Sequence, residues 1–201
     1  MIRLLALGDG VRDAAMTPAL VEHLLGARFE WRFEPWRRLH GKGYENKLLF
    51  ALVQARDDGQ AGVVATVDRD NSSSDERLRE LQQGRERDRT DRPALPAALG
   101  CADPHAEAWL LDDPVAVREV LDLPPTAPVA NVRKVSYPKH EVERLHAGSS
   151  RSHEQPRMIC AEIAARLDPA RCAHAGETGL AAFVTDVQVE LGPLAASQPH
   201  G

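Results

Sequence analysis

The run Val63-Val64-Ala65-Thr66-Val67-Asp68-Arg69-Asp70 is an apolar segment that ends in two aspartates separated by one residue. Consecutive small or β-branched residues with no polar face are typical of a buried strand in a parallel sheet, which is covered on both faces. Ligands bind at the carboxyl ends of such strands. Asp68 and Asp70 therefore stand where two carboxylates can face one divalent cation. An alternative stays open, in which Asp68 caps the next helix and Asp70 forms a polar turn with Asn71.

Strand and helix patterns alternate along the first half of the chain. Besides the run above, strand patterns cover residues 2–7 and 29–34, and a weaker one covers 99–102. Helical spacing covers 17–25, 44–56 and 75–92, and the first of these helices begins at Thr17-Pro18 or earlier, near Asp13. Strands that alternate with helices, joined by right-handed crossovers, predict an α/β fold. We expect a three-layer sandwich with a mostly parallel central sheet and a helical C-terminal part.

Three Asp-Pro steps divide the second half of the chain, namely Asp103-Pro104, Asp113-Pro114 and Asp168-Pro169. Each predicts a helix start, with aspartate as the cap and proline in the first turn. Further helical patterns begin at Pro138 and cover 159–167 and 180–187. We therefore predict an α/β core at 1–125, a helical extension packed on that core at 126–191, and a disordered tail at 192–201.

Composition excludes several classes of protein. A formal net charge of -5 over 201 residues gives no general surface for nucleic acid, so any such surface must be local. Three cysteines without a CxxC pair speak against a zinc ribbon or a disulfide framework. The first residues carry too short an apolar run for a signal peptide, and no stretch reaches transmembrane length. These features predict a soluble cytoplasmic protein.

The strand at residues 2–7 also ends in an acidic loop, which contains Asp9. If the first and third strands are adjacent, Asp9 lies beside Asp68 and Asp70. Three carboxylates brought together repel one another unless a cation neutralises them or one takes up a proton, so such a cluster predicts a metal site. Oxygen ligands favour Mg²⁺ or Mn²⁺ over zinc, and phosphoryl transfer is the matching chemistry. A dinucleotide site after this strand is disfavoured, because Asp13 replaces the third glycine.

Other polar residues are candidates for the same function. Glu107, near Trp109 on a predicted helix, is either an acid of the first helical turn or a functional group held in a packed corner. The eight histidines form no metal motif, which is typical of scattered surface or capping residues. Two locally basic stretches predict a phosphate track, with solvated faces as the alternative. Their candidate residues for binding nucleic acid are Arg37, Arg38, Lys42, Arg133 and Lys134.

Together these segments resemble the TOPRIM domain of topoisomerases, primases and OLD-type nucleases. More narrowly, they resemble the bacterial TOPRIM-like family catalogued as domain of unknown function 4276. The resemblance runs from about residue 2 to 190. It rests on the loop 8–13, the Asp68-Arg69-Asp70 pair, the segment 107–112, the step Tyr137-Pro138-Lys139, and a helical close around Asp168-Pro169 and Phe183.

The resemblance implies cleavage of nucleic-acid phosphodiesters with Mg²⁺ or Mn²⁺. It implies that Asp68 and Asp70 bind the metal and that Asp9 shares it or helps to activate water. It further implies that Glu107 completes or orients the site and that Lys139 neutralises a phosphate or the developing charge. One departure matters for activity, since Asp9 occupies a position where TOPRIM domains normally carry glutamate. Direct proton transfer by this shorter side chain requires the loop to come closer.

The resemblance also implies a partner and a biological setting, namely an SMC-like or other ATPase and defence against phage or foreign DNA. A second hypothesis keeps the fold but not the catalysis. In it, the chain is a TOPRIM-like binding module that docks on an ATPase or on DNA and uses its acids structurally. Trp31, Trp36 and the basic residues around them then form the interface.

Overall fold

Four parallel strands form the centre of the computed structural model, which describes residues 1–70, 72, 74–91 and 93–198. The strands are β1 (Arg3–Gly8), β2 (Glu30–Pro35), β3 (Gly62–Asp68) and β4 (Ala97–Ala102). Their order in the sheet is β2-β1-β3-β4, so β1 and β3 are adjacent as the acidic loops require. All four carboxyl ends therefore lie along one edge of the sheet.

Helices cover both faces of this sheet. They are α1 (Asp13–Leu25), α2 (Gly43–Asp57), α3 (Ser74–Asp91), α4 (Glu107–Leu111), α5 (Pro114–Val120), α6 (Pro138–Ala147), α7 (Pro156–Ala164) and α8 (Leu180–Ala196). One hydrophobic cluster joins α2 and α3 to one face, and a larger cluster joins α1 and α4–α8 to the other. The predicted α/β three-layer sandwich is confirmed.

Successive side chains of β3 point to opposite faces of the sheet, so this one strand contributes to both hydrophobic clusters. Val63, Ala65 and Val67 belong to the cluster under α2 and α3, whereas Val64 belongs to the opposite cluster. All four side chains are buried. Because burying a valine contributes roughly 1.5–3 kcal/mol, this strand is a large local source of stability. The apolar run ends at Asp68, where the chain leaves the interior.

The Asp-Pro steps begin helical segments in two of three cases. Asp113 accepts hydrogen bonds from the amides of Val115 and Ala116 and caps α5, and Asp168 caps a short 3-10 helix at Pro169–Arg171. At Asp103 the prediction is wrong, because the Asp103-Pro104 peptide bond is cis and α4 begins only at Glu107. The Asp103 carboxylate instead accepts a hydrogen bond from Arg69 at 2.8 Å.

The C-terminal helix is part of the core. Gly179, at φ 82°, precedes α8, and a Cβ atom there would lie 2.0 Å from the Cys101 carbonyl oxygen, so glycine allows the chain to approach β4. Phe183 of α8 stacks on Trp109 with ring centroids 4.9 Å apart. The predicted disordered tail is wrong over residues 192–196, which belong to α8 because its end packs on the core. Residues 199–201 lie outside the described residues.

The helices bear on two further predictions, namely where the first helix begins and whether a helix could span a membrane. The first long helix begins at Asp13, which is the earlier of its two predicted starts. Within the described residues, no helix combines the length and the apolar composition that a membrane span requires.

Candidate metal centre

Three side chains from two neighbouring loops converge at the carboxyl edge of the sheet. Asp68, Asp70 and His105 each offer one ligand atom, and these atoms all lie within 4.8 Å of one another. Asp68 ends β3, and His105 follows β4, so the pairing of these two strands brings the three residues together. The Nε2 atom of His105 lies 3.6 Å from Oδ1 of Asp70. Two carboxylates and one imidazole form a ligand set that can hold a divalent cation.

The backbone of Asp70 is part of this arrangement. Its φ of 50° lies in the left-handed region, which residues other than glycine seldom adopt. Such a conformation costs on the order of 1–3 kcal/mol and persists where the surrounding structure enforces it. Here the chain is held on both sides of Asp70. The amide of Arg69 donates to the carbonyl oxygens of Ala102 and Pro104, and the amide of Ser72 donates to the carbonyl oxygen of Arg69. The loop after β3 is thereby fixed against the loop after β4.

The pKa of Asp68 is raised further than that of its acidic neighbour Asp13. Burial and the neighbouring charges of Asp13 and Asp9 raise its pKa to about 8. Its Oδ1 atom accepts a hydrogen bond from the amide of Ala106 at 2.9 Å, which opposes this shift but does not cancel it. In the absence of a cation, the Asp68 carboxyl therefore holds a proton near neutral pH. A cation would take the place of that proton.

Asp9 and Asp13 complete the acidic environment from the loop after β1. Asp13 fixes the backbone of this loop, because its Oδ2 atom accepts hydrogen bonds from the amides of Asp9 at 2.8 Å and Gly10 at 2.9 Å. Burial raises the pKa of Asp13 to about 6. Burial and the charge of Asp70 raise the pKa of Asp9, while a backbone hydrogen bond from Asp68 lowers it. Asp9 is thus an electrostatic neighbour of the metal ligands.

The structure brings together two of the three predicted metal ligands. Asp68 and Asp70 converge as the sequence predicts, and His105 takes the third place in the set. Among the described residues, Asp9 is not one of the three side chains whose ligand atoms approach within that distance. Its part as a metal ligand stays a prediction.

Glu107 lies in the same corner, but its carboxylate is engaged. The residue is buried, and its Oε1 atom accepts a hydrogen bond from Nη1 of Arg12 at 3.0 Å. Arg12 also donates through Nη2 to Glu143 of α6. The guanidinium therefore connects the loop after β1 to α4 and α6. This contact gives Glu107 a positioning role, since it holds the loop that carries Asp9.

The cations whose charges act on Asp9 differ from the lysine, Lys139, that the resemblance implies. Lys139, in the first turn of α6, is exposed and close enough to Glu143 to lower the pKa of that carboxyl. At Asp9, the cations that lower the carboxyl pKa are Arg77 and Lys47, from α3 and α2. Arg77 packs over the ring of Tyr44 at 4.8 Å from the centroid.

Basic residues flank the carboxyl edge of the sheet at both ends. Arg37 and Arg38 are exposed in a 3-10 helix that follows the edge strand β2, and Lys42 is exposed just before α2. Arg133 and Lys134 are exposed in the 3-10 helix Val132–Lys134, on the side of β4. The five residues predicted to contact nucleic acid are therefore all exposed, and their part in binding stays a prediction.

A groove of about 650 Å³ opens beside the candidate metal ligands. Asp70 and His105 line one part of it, and Arg69, Arg133 and Tyr137 line other parts. The groove lining therefore includes two of the three candidate metal ligands and two arginines.

The interface proposed around the two tryptophans is wrong for Trp36. This side chain is 2% exposed, and its Nε1 donates to the carbonyl oxygen of Thr66 at 2.7 Å in the interior. Trp31 is half-buried and donates to Glu22. A buried indole is unavailable to a partner, so an interface at this place could use only Trp31 and the exposed basic residues.

Sequence reasoning missed His105, Asp13 and Arg12 as parts of the site. No sequence pattern distinguishes His105 from the other histidines, because Asp103-Pro104 predicts a helix start at the point where a strand ends. A parallel strand at 97–102 places the residues that follow it at the same edge as Asp68. Asp13 carries a weaker signal, as an acid at the start of the helix after the first acidic loop.

Comparisons with protein-family models, with curated proteins and with solved structures gave no match. The fold and the site define an α/β protein with a candidate divalent-cation site at the carboxyl edge of a parallel sheet.

Proposed function

We propose that this chain is a divalent-cation-dependent phosphodiesterase that cuts nucleic acid, as a TOPRIM-type nuclease or a subunit of one. One observation carries the proposal, namely the convergence of Asp68, Asp70 and His105 beside a groove lined by Arg69 and Arg133. Carboxylates that bind a cation, next to arginines that can pair with phosphate oxygens, are a combination suited to phosphoryl chemistry.

The ligand set bears on which cation is bound. Two carboxylates suit Mg²⁺ and Mn²⁺ alike, whereas the imidazole of His105 favours a transition-metal ion, so we expect Mn²⁺ to bind more tightly than Mg²⁺. The residues fit a cation, because the repulsion that raises the Asp68 pKa would be relieved by it. In the described part of the chain, the buried Nδ1 atom of His105 finds no hydrogen-bond partner. Since metal-bound histidines are normally oriented by such a partner, we expect a readily exchanging cation.

In this proposal the cation supplies Lewis-acid polarisation of a phosphate oxygen. Asp9 accepts a proton from the water whose oxygen attacks phosphorus, while the phosphorus–oxygen bond to the leaving strand breaks and the leaving oxygen takes a proton from solvent water. The raised pKa of Asp9 and its position beside the candidate ligands suit it to this role. Arg69 and Arg133 hold phosphate oxygens along the groove. Lys139 neutralises phosphate charge at the α6 side, and Glu107 orients the loop of Asp9 through Arg12.

A cleavage assay tests this function. Labelled single-stranded DNA, duplex DNA and RNA are incubated with the protein in Mn²⁺, in Mg²⁺ and in EDTA. We expect cutting that needs the cation and that falls at least about 100-fold in Asp9→Asn, in line with the loss of a general base. Asp57→Asn, at an exposed acid at the end of α2, serves as the matched control and should cut normally. Cutting that continues in EDTA or in the Asp9 variant would contradict the proposal.

A second candidate is a TOPRIM-like module without catalysis that docks on an ATPase or on DNA. The placement of Asp9 favours it, because among the described residues Asp9 is not one of the three side chains whose ligand atoms converge. A protein that binds nucleic acid but leaves it uncut, with and without its partner, would support this candidate. The partnership with an SMC-like or other ATPase and the role in phage defence are predictions that the neighbouring genes can test.

A further inference from the structure

Among the described residues, the groove beside the candidate metal ligands is lined by an exposed aromatic ring and a buried hydroxyl without a hydrogen-bond partner, and the proposed cleavage chemistry uses neither of them. We propose that this groove receives an unpaired strand of nucleic acid, with one base stacked on Tyr137 and the adjoining phosphate near Asp70 and His105. This inference rests on the proposed function, because it names the substrate class of the same site. Three features support it: an exposed aromatic ring, two arginines whose ion pairs a phosphate can replace, and a buried hydroxyl without a hydrogen-bond partner among the described residues.

The aromatic ring is Tyr137, which lines the groove and is 64% exposed. Its ring lies 5.5 Å from that of His140, with 30° between the two planes. Val132 and Val135 add apolar lining to the same groove. In the described part of the chain, the Tyr137 side chain makes no capping hydrogen bond to α6. An exposed ring with an apolar surface beside it is a stacking platform for a nucleobase.

The arginines of the groove are paired in a way that a phosphate can exchange. The Nε atom of Arg133 lies 2.8 Å from Oε2 of Glu177, and both side chains are more than half exposed. Such a surface pair contributes little, so Arg133 can turn to a phosphate oxygen at small cost. Arg69 pairs with Asp103, whose side chain is also partly exposed. Because Asp70, Asp103 and Glu177 outnumber these two arginines, we expect a bound cation to strengthen phosphate binding.

Three polar atoms of the groove residues lack hydrogen-bond partners among the described residues, namely Oγ1 of Thr178, Nδ1 of His105 and Nε of Arg69. Thr178 is 4% exposed and its Oγ1 is buried without a hydrogen bond, as is Nδ1 of His105. Buried polar atoms are normally paired, either with protein groups or with ordered molecules. Polar groups of a ligand, or water that it orders in the groove, would provide the missing partners after a small shift of these side chains.

The position of the ring selects the form of nucleic acid. In a duplex the bases are paired and stacked inside the helix, so their faces are unavailable to a side chain in a groove wall. An unpaired nucleotide can place its base on Tyr137 while its phosphate reaches the metal ligands. The groove is therefore suited to a single strand, or to an unpaired end or loop.

Binding is tested by fluorescence anisotropy with a labelled 12-nucleotide single strand and a hairpin duplex of related sequence. Titrations are made in Ca²⁺, as a cation for carboxylate ligands, and in EDTA. We expect the single strand to bind at least about tenfold more tightly than the duplex. Tyr137→Ala should weaken single-strand binding by about tenfold, whereas Tyr137→Phe should bind normally because it keeps the ring. DNA and RNA strands are both titrated, and a preference for either supports the inference.

Phe50→Ala is the matched control, since Phe50 is an exposed ring on α2, away from the groove residues. Its binding should equal that of the wild type, and melting curves should show all variants folded. Equal binding of duplex and single strand, or no effect of Tyr137→Ala, would overturn the inference. A Mn²⁺ titration by calorimetry separates the two proposals. Cation binding without Tyr137-dependent strand binding overturns this inference alone, whereas absence of cation binding overturns the proposed function.

Discussion

The buried, acidic surroundings that suit Asp68 to bind a cation also make its ionised form costly for the stability of the fold. Its carboxylate accepts a hydrogen bond from the amide of Ala106, yet burial and the nearby acids raise its pKa to about 8. The unfolded chain has no such neighbours, so its aspartate titrates near 3.8. Between these two pH values the folded protein holds a proton that the unfolded chain releases. The contribution of Asp68 to stability therefore falls as the pH rises from about 4 to about 8.

Asp68→Asn removes this dependence and keeps an oxygen that can accept from Ala106. In EDTA, we expect the variant to melt at the same temperature as the wild type near pH 4.5. Near pH 8.5, its melting temperature should be higher by at least 2–4 °C, which corresponds to roughly 1 kcal/mol for a chain of this size. Thermal melts at both pH values measure the difference. A variant less stable than the wild type at pH 8.5 would show that Asp68 is chiefly a structural cap.

The loop after β1, α4 and α6 are three elements joined by one guanidinium. Arg12 contacts Glu107 and Glu143, and the Arg12 and Glu107 side chains are 19% and 10% exposed. Replacing Arg12 by methionine leaves the Glu107 carboxylate without its cation in a largely buried place. We expect Arg12→Met to lower the free energy of unfolding by roughly 2–4 kcal/mol, measured by urea denaturation.

Arg144→Met is the control for this element. Arg144 pairs with Glu141 within α6, but its side chain is 63% exposed. Surface pairs of this kind contribute at most about 1 kcal/mol, so the variant should unfold close to the wild-type midpoint. Similar losses in the two variants would indicate that Arg12 is an ordinary surface arginine. The double variant Arg12→Met/Glu107→Met should recover part of the loss, because it leaves no carboxylate unpaired at Glu107.

At the scale of the whole molecule, sequence patterns correctly predicted the features whose contacts lie within a short segment of the chain. The apolar run that ends at Asp68 predicted a central strand, because covering on both faces requires an unbroken series of apolar residues. The cap at Asp113 depends on amides two and three residues further along, so the sequence contains all of it. The layered fold followed from the order of these elements and the handedness of their connections.

The site was predicted only in part because its contacts join distant segments. His105 meets Asp70 through the pairing of β3 with β4, and β4 carried a weak strand signal. The Asp103-Pro104 pair also predicted a helix start just after the strand end, whereas α4 begins only at Glu107. Trp36 resembled an exposed aromatic in a basic stretch, but its indole reaches the Thr66 carbonyl across the sheet. Such contacts depend on strand order and register, which no short window of sequence contains.

The proposed site rests on the claim that Asp68, Asp70 and His105 hold a divalent cation. Calorimetric titration with Mn²⁺ tests it directly, since cation binding requires neither a substrate nor a partner. The wild type is compared with Asp70→Asn/His105→Asn and with the control Asp57→Asn, and melting curves establish that each is folded. We predict saturable binding by the wild type and the control, with Mg²⁺ weaker, and loss of binding in the double variant. No heat of binding by the wild type at millimolar Mn²⁺, or equal binding by the double variant, would contradict the claim.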